Sequence, residues 1–280
     1  MPLIETQHIN ASHEDFSGNN GIGRYIFLTG SDERARELSE QFEGVVVRKH
    51  PRQHNFYMGK LLNQGQAIDV AAISTGMGGP SADIIINELI MLGARRLLRI
   101  GTAGSLQPDT IHVGDIVVAT AAVRDDKASW DYIYREYPAI ASLECLIAAH
   151  RAARLLTHQF PVHFGIVHSK SSLYAREFHY SFMEENDQYM KTMHLAGILA
   201  TEMECAQLFT LSSLMSAKLI STETNPIPIF CGCILAIVGD KTSFSDDKQK
   251  IKQSIDFAMS FGLETVKALS IIDQEIHHDF

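Results

Sequence analysis

The stretch "IDVAAISTGMGGPSADIIINELIMLGARRLLRIGTAGS", Ile68 to Ser105, runs through a strand, a glycine-rich turn, a helix and a second strand. Ile68–Ile73 is a short apolar run of strand length. Gly79-Pro80 is a good helix start, Ser81–Leu92 carries the helical repeat, and Gly93 is a good C-cap. Leu97–Ile100 reads as strand interior, yet it holds Arg99, and an unpaired guanidinium there would be costly. The following Gly101-Thr102-Ala103-Gly104 is a turn in which backbone can approach a ligand closely. Arginine, hydroxyl and exposed backbone N–H groups together are a good inventory for holding an anion.

The alternation extends to both sides. Tyr25–Leu28, Val45–Val47, Phe56–Leu62, Ile116–Ala122, Val162–Val167 and Ile229–Val238 read as further strands, and Ala139–Leu156, Glu204–Lys218 and Ile251–Ile272 as helices. Strands alternating with helices predict an α/β fold, a sheet covered on both faces. Ser221–Pro228, "STETNPIP", is the clearest internal loop, but a strand pattern resumes directly after it, so residues 1–280 are read as a single domain. Residues 1–20 form a polar arm, expected to be ordered only by packing on something else.

With 45% apolar and 20% charged residues the chain has the composition of a soluble globular protein. A net charge of −9 offers no basic patch for nucleic acid, although it allows a small anionic substrate in a local pocket. The longest apolar run, Ile229–Val238, is too short to span a bilayer. The N-terminus lacks the basic and apolar regions of a secretory signal, so a cytoplasmic protein without a membrane partner is expected. Four cysteines do not predict a disulfide scaffold. Cys231-Gly-Cys233 has the wrong spacing for a CxxC motif, and on a strand both would face one way as small hydrophobes, so no metal is expected.

Five pieces carry candidate chemistry. In "FLTGSDERAREL" a strand, Gly30 and a helix start bearing Arg34 present N–H groups and charge to an anion, although most such turns are only turns. "STGMGGPSADI" fits neither the P-loop nor the GxGxxG pattern, and close backbone packing is its plainer reading. "LRIGTAG" is the third piece. In "ATEMECAQL", Glu202 and Glu204 flank Met203; on an extended segment both carboxylates would face one way and converge on a diol, or they complement a helix N-terminus. In "AIVGDKTSF", Asp240 ends an apolar strand, where open α/β sheets place ligands, or is a solvated loop residue.

Taken together, these residues resemble the nucleoside phosphorylase-I family, the uridine and hexameric purine nucleoside phosphorylases. The likeness runs from about His8 to the last helix and is densest in Ser74–Asp126 and in "TEMECA". It implies a single-domain α/β fold with a central mixed sheet, partly closed into a barrel and flanked by helices. It implies a phosphate site at Gly30, Arg34, Arg99 and Thr102, and a ribose site at Glu202, Met203 and Glu204. His8, in "HINASHEDF", would reach a neighbouring subunit's ribose, making a homodimer with a shared active site, or a hexamer built as a trimer of dimers. His54 stands where the family supplies a phosphate-binding arginine from the partner, with Arg52 close by. The base site would draw on Ala103, Gly104, Tyr174, Glu177 and His179. Glu177 and His179 replace the Gln and Arg of the uridine enzymes, and Leu173 replaces an aromatic. Asp240 falls where the purine enzymes carry the aspartate that protonates the leaving base.

The expected function is therefore phosphate-dependent cleavage of a ribonucleoside to free base and ribose 1-phosphate. The resemblance slightly favours purine nucleosides, with uridine the alternative. Arg99 would orient phosphate and Asp240 would act as general acid, a role that needs a raised pKa. Inorganic phosphate is the co-substrate, and no organic cofactor is implied. A hydrolytic nucleosidase and a non-catalytic nucleoside-binding protein are the rival readings.

Overall fold

A computed structural model describes residues 5–156, 160–241 and 244–278; the first four residues of the expected arm lie outside that range. The strands are β1 (Tyr25–Thr29), β2 (Glu43–Arg48), β3 (Phe56–Asn63), β4 (Gln66–Ser74), β5 (Arg96–Ser105), β6 (Ile116–Asp125), β7 (Ala139–Ile140), β8 (Val162–Lys170), β9 (Ala200–Glu202) and β10 (Phe230–Gly239). The helices are α1 (Asp32–Ser39), α2 (Gly79–Met91), α3 (Leu143–Leu155), α4 (Leu173–Glu177), α5 (Glu185–Leu195), α6 (Cys205–Thr222) and α7 (Lys248–His278).

The expected strand–helix–strand unit is β4–α2–β5. Pro80 sits in the first turn of α2, whose buried Ala82, Ile85, Ile86 and Leu89 follow the helical spacing. Gly93 (φ 108°) ends it in a conformation that suits glycine, and the Ala94 N–H reaches back to the Leu89 carbonyl at 2.9 Å. Two expectations shift locally. The helix read from Ala139 starts at Leu143, because Ala139–Ile140 pairs with β6 instead, and α6 runs on to Thr222 into the expected loop.

The sheet is mixed and closes on itself. β10 pairs in parallel with β5 and antiparallel with β6, β6 pairs with β8, β8 with β9, and β9 with β5, making a five-stranded barrel. From β5 the sheet continues as β1, β4, β3 and β2. Along β1 the pleat sends Ile26 and Leu28 into one core with α2 and α6, and Tyr25 and Phe27 into a second core with α3 and α7. Cys231 and Cys233 lie in the first of these, and all four cysteines are buried and free.

The arm is held by its own chain. Ile9 and Phe16 are buried, and Phe16 stacks on Phe56 with ring centroids 4.9 Å apart. No helix among the described residues is long and apolar enough to cross a membrane.

Register decides where chemistry can collect. Leu28 of β1 and Cys233 of β10 both lie level with Arg99 of β5, and Thr29 lies level with Ser74 of β4. The turns after β1 and β4 therefore open beside Arg99, at the carboxyl edge of parallel strands.

Candidate active site

Arg99 is 4% exposed, and its charge is answered locally. One terminal nitrogen donates to Glu204 Oε2 at 2.6 Å, and the other donates to Thr75 Oγ1 at 3.1 Å. Burial is the largest influence and would weaken its hold on the proton, but Glu204, together with Cys233, Glu202 and Cys205, more than offsets this. Its Nε is buried without a hydrogen-bond partner among the described residues. Arg34 comes in from the first turn of α1, where Ser31 caps the helix and also accepts from Arg34 Nε at 3.3 Å. Burial, and then the like charge of Arg99, push the Arg34 pKa down. Two guanidinium groups close enough to disfavour each other's charge make a place where an anion is stabilising.

Glycines leave room around that pair. Arg34 lies directly over Gly30, within 2.7 Å of where a Cβ would stand. At Gly76 (φ 71°) an added Cβ would come within 3.9 Å of His54 Cε1, so His54 borders the same turn cluster in its own chain. His54 Nδ1 is bound to the Ser74 carbonyl at 2.9 Å, whereas Arg52 is exposed. Thr102 is half-buried in β5 opposite Ala236 of β10.

Glu202 and Glu204 do not converge as an extended segment would predict. Strand β9 ends at Glu202, and Glu204 is the N-cap residue of α6. Glu202 Oε2 accepts the Glu204 and Cys205 N–H groups at 2.7 and 2.8 Å, and its Oε1 accepts the Ser169 hydroxyl. Its Oε2 thus serves the helix start directly and its Oε1 through Ser169, whose hydroxyl accepts the Ala206 N–H at 2.9 Å, which is the plainer reading of that acid. Burial, and then the nearby Glu204, raise its pKa. Glu204 instead turns to Arg99 and the turn after β4, where its Oε1 accepts the Gly78 N–H at 2.6 Å. Gly78 (φ 83°) needs that conformation to present the N–H, and Met203 packs next to it.

Further along β5 lies a cleft of about 650 Å³, lined by Gly104, Glu177, Phe178, His179, Thr201, Asp240 and Phe244 among others. Ala103 is buried behind it. Phe178 and Phe244, with centroids 6.0 Å apart, form its aromatic wall. Tyr174, expected there, is outside the lining and packs behind Phe178 at 5.2 Å. His179 lines the mouth and pairs with Asp187 at 2.8 Å. Asp240 lines the cleft without a raised pKa. Burial is the largest single influence and pushes it up, but the Lys241 and Val113 N–H groups, His112 and the Lys241 charge together hold it below the usual carboxylate range. It is placed to accept a hydrogen bond and not to deliver a proton at neutral pH.

Sequence reasoning did not find the polar network behind this cleft. Arg176 grips Asp125 with two hydrogen bonds of 2.9 and 3.0 Å and lies over the Tyr189 ring. Asp125 also binds His168 Nε2 at 3.2 Å, and His168 Nδ1 meets Thr201 Oγ1 at 2.9 Å. Lys170, 2% exposed, donates to Thr201 Oγ1 at 3.1 Å and pairs with Glu177 at 2.5 Å. The only sequence signal is polar residues ending apolar strands, in "VRDD" and "VHSKSS".

This network predicts acid sensitivity. Burial keeps His168 below its ordinary 6.5, and Asp125 stays below 3.8, because His168 and Arg176 outweigh its burial. In both cases the unfolded chain binds protons more readily, so stability is present above the unfolded pKa and lost as pH falls. Thermal unfolding should show a falling Tm as pH drops through about 6.5, and His168→Gln should flatten that slope. An unchanged slope in the variant would assign the acid sensitivity elsewhere.

His8 lies apart from this cluster. Its Nδ1 is 2.8 Å from Glu88 Oε1, and the Gln7, His8 and Ile9 N–H groups also bind the Glu88 carboxylate. Although burial would raise the Glu88 pKa, those hydrogen bonds hold it below the usual range. Glu88 lies in the third turn of α2, roughly 13 Å along the axis from its start at Gly79, so His8 is well away from its own chain's Glu204.

Comparison with known proteins agrees with this geometry. A family model described as the phosphorylase superfamily matches residues 24–257. A uridine phosphorylase of Thermococcus kodakarensis is 30% identical over 258 residues, covering 91% of this chain and 85% of that protein. A guanosine phosphorylase of Halorubrum lacusprofundi is 32% identical over 206 residues, covering 72% of this chain and 77% of that protein. The crystal structure of a uridine phosphorylase from Vibrio fischeri matches with a TM-score of 0.74 at 26% identity, over 94% of this chain and 98% of that one. A family match that takes in β1 through the first third of α7, Arg34, Arg99 and Glu204 included, makes this chain a member of the phosphorylase superfamily and an enzyme of the nucleoside phosphorylase kind.

Proposed function

We propose that the enzyme cleaves uridine with inorganic phosphate, giving uracil and ribose 1-phosphate. The observation that carries this reading is Arg99, buried between Glu204 and Thr75 with Arg34 close by. In it the Gly30 turn, Arg34, Arg99 and Thr102 hold phosphate beneath C1′, a proximity effect. The bond from C1′ to uracil N1 breaks with its electron pair leaving on the base, and a phosphate oxygen bonds to C1′. The departing uracil takes a proton from solvent. Glu204, one residue from Met203, accepts from a ribose hydroxyl and stabilises positive charge developing on the sugar.

The slight preference for purines expected from the sequence rests on Asp240 as a proton donor. Its depressed pKa removes that support, and the relatives named for uridine weigh on the other side. Guanosine is the second reading, supported by the Halorubrum relative. Release of free base from uridine, thymidine, guanosine, inosine and adenosine, with phosphate varied, tests both. Saturable dependence on phosphate with uridine fastest is expected. Adenosine as the best substrate would overturn the base assignment, and release independent of phosphate would overturn phosphorolysis. Asp240→Asn should leave uridine turnover little changed, since the carboxylate is not the proton source; a large loss would restore it as general acid.

The shared site is part of the same proposal. His8 lies too far from its own Glu204 to serve one ribose with it, so it would serve a second copy of the chain. His8→Ala and Glu204→Ala should each be impaired, and co-refolded mixtures should form some dimers with one intact site. Activity of the mixture well above both parents is expected. No gain, or a fully active His8→Ala, would make the arm purely structural.

A further inference from the structure

We propose that Lys170 positions Glu177 to read the base, so that the cleft selects nucleobases whose ring nitrogen carries a hydrogen beside a carbonyl group. The inference rests on the nucleoside reading above and adds the residues that choose the base.

Lys170 is the last residue of β8 and is almost wholly buried. An ammonium group there must be paired and hydrogen-bonded. Its three N–H groups meet three acceptors: Thr201 Oγ1 at 3.1 Å, the Glu202 carbonyl at 3.4 Å and Glu177 Oε1 at 2.5 Å. Two of these belong to β9, which anchors the lysine to the barrel wall. The third fixes a side chain from α4, a helix of only five residues. Arg176 of the same helix is already tied to Asp125, and the ion pair adds a second tether that sets where Glu177 points in the cleft.

The pairing also decides which way Glu177 points. While Oε1 is held by Lys170, Oε2 lies over Gly104, 3.1 Å from where a Cβ would stand. Glycine at this position leaves space for the carboxylate at the strand edge, beside Thr201 and in the lining of the cleft. Gly104 is five residues beyond Arg99 on β5, about 16 Å along a strand, a reach suited to phosphate, sugar and base in line.

A paired carboxylate only accepts hydrogen bonds. It fits N3–H of uracil and N1–H of hypoxanthine or guanine. The bare N3 of cytosine or N1 of adenine would set lone pair against lone pair. Lys170, with its donors taken inside the chain, acts through Glu177 and is a positioning residue.

The test compares uridine with 3-methyluridine, in which a methyl group replaces the N3 hydrogen. The wild-type enzyme should prefer uridine in kcat/KM by about tenfold to a hundredfold, the range for one hydrogen bond to a charged group. Glu177→Ala should bring the ratio close to one. Lys170→Met should lower it as well, and in both variants the loss should fall on the KM for uridine and not on the KM for phosphate. A melting curve establishes that each variant is folded; should Lys170→Met fail to fold, Glu177→Ala decides alone. A wild-type ratio retained in folded Glu177→Ala, or in folded Lys170→Met, would overturn the proposal. Absence of phosphate-dependent release from every nucleoside by the wild-type enzyme would instead overturn the function on which it rests.

Discussion

Arg99→Ala should lower kcat/KM for phosphorolysis by on the order of 10²-fold to 10³-fold, the loss expected when a preorganised charge stabiliser leaves a water-poor site. The guanidinium holds Glu204 at 2.6 Å and Thr75 at 3.1 Å and leaves a third donor, Nε, without a partner among the described residues. Removing it strips one of the two positive charges from the anion site. Among the described residues, Glu204 would then keep the Gly78 N–H bond alone, in a residue that is 5% exposed. Both the phosphate and the ribose side of the site should suffer, so the KM for phosphate should rise while kcat falls. Arg99→Lys should recover little, because an ammonium group cannot reproduce the two-pronged contact. Initial rates over a range of phosphate concentrations measure this directly. A folded Arg99→Ala protein with wild-type rates would show that the phosphate site lies elsewhere.

Asp273→Ala should be among the most destabilising single changes in the chain, by about 3–5 kcal/mol, because it strands a buried charge. Asp273 lies in α7 and Arg96 begins β5; both side chains are almost fully buried, with a closest contact of 2.6 Å. The carboxylate also accepts from Arg96 Nε at 2.8 Å and from the Tyr25 hydroxyl at 2.7 Å. Removing it leaves Arg96 with the Arg95 and Pro228 carbonyls and a face packed on Phe230, none of which carries the opposing charge. Asp273 thus ties the last helix to the starts of two strands, β5, which carries Arg99 three residues on, and β1, which ends just before Gly30. Urea unfolding of wild type and variant gives the difference. A change below about 1 kcal/mol would mean that water reaches the vacated site and solvates the arginine.

The strands that build this frame were legible where burial on both faces makes continuous apolar runs, as in Leu97–Ile100 and Ile229–Val238. Barrel closure was not legible from those runs, since it depends on β10 pairing with both β5 and β6, a choice made between distant segments. Strands β7 and β9 span two and three residues, too few to show a period. Helix α5 buries no residue, so it has no apolar stripe to read. At the site, Arg99 announced itself as a charge inside an apolar strand, and Gly30 and Arg34 as a strand–helix junction. The different fates of Glu202 and Glu204 hid behind their near-identical local setting, because the backbone turns into α6 between them. Lys170, His168 and Asp125 gave only the weak signal of polar strand ends, and their network forms through pairing of β6, β8 and β9.

If Arg34 and Arg99 hold phosphate as the nucleophile, the sugar product carries the phosphate. Uridine and inorganic phosphate are incubated with the enzyme, and the mixture is followed by phosphorus NMR together with uracil absorbance. Ribose 1-phosphate should appear one for one with uracil, and no uracil should form when phosphate is left out. Free ribose formed with uracil at an undiminished rate in phosphate-free buffer would contradict phosphate as the nucleophile.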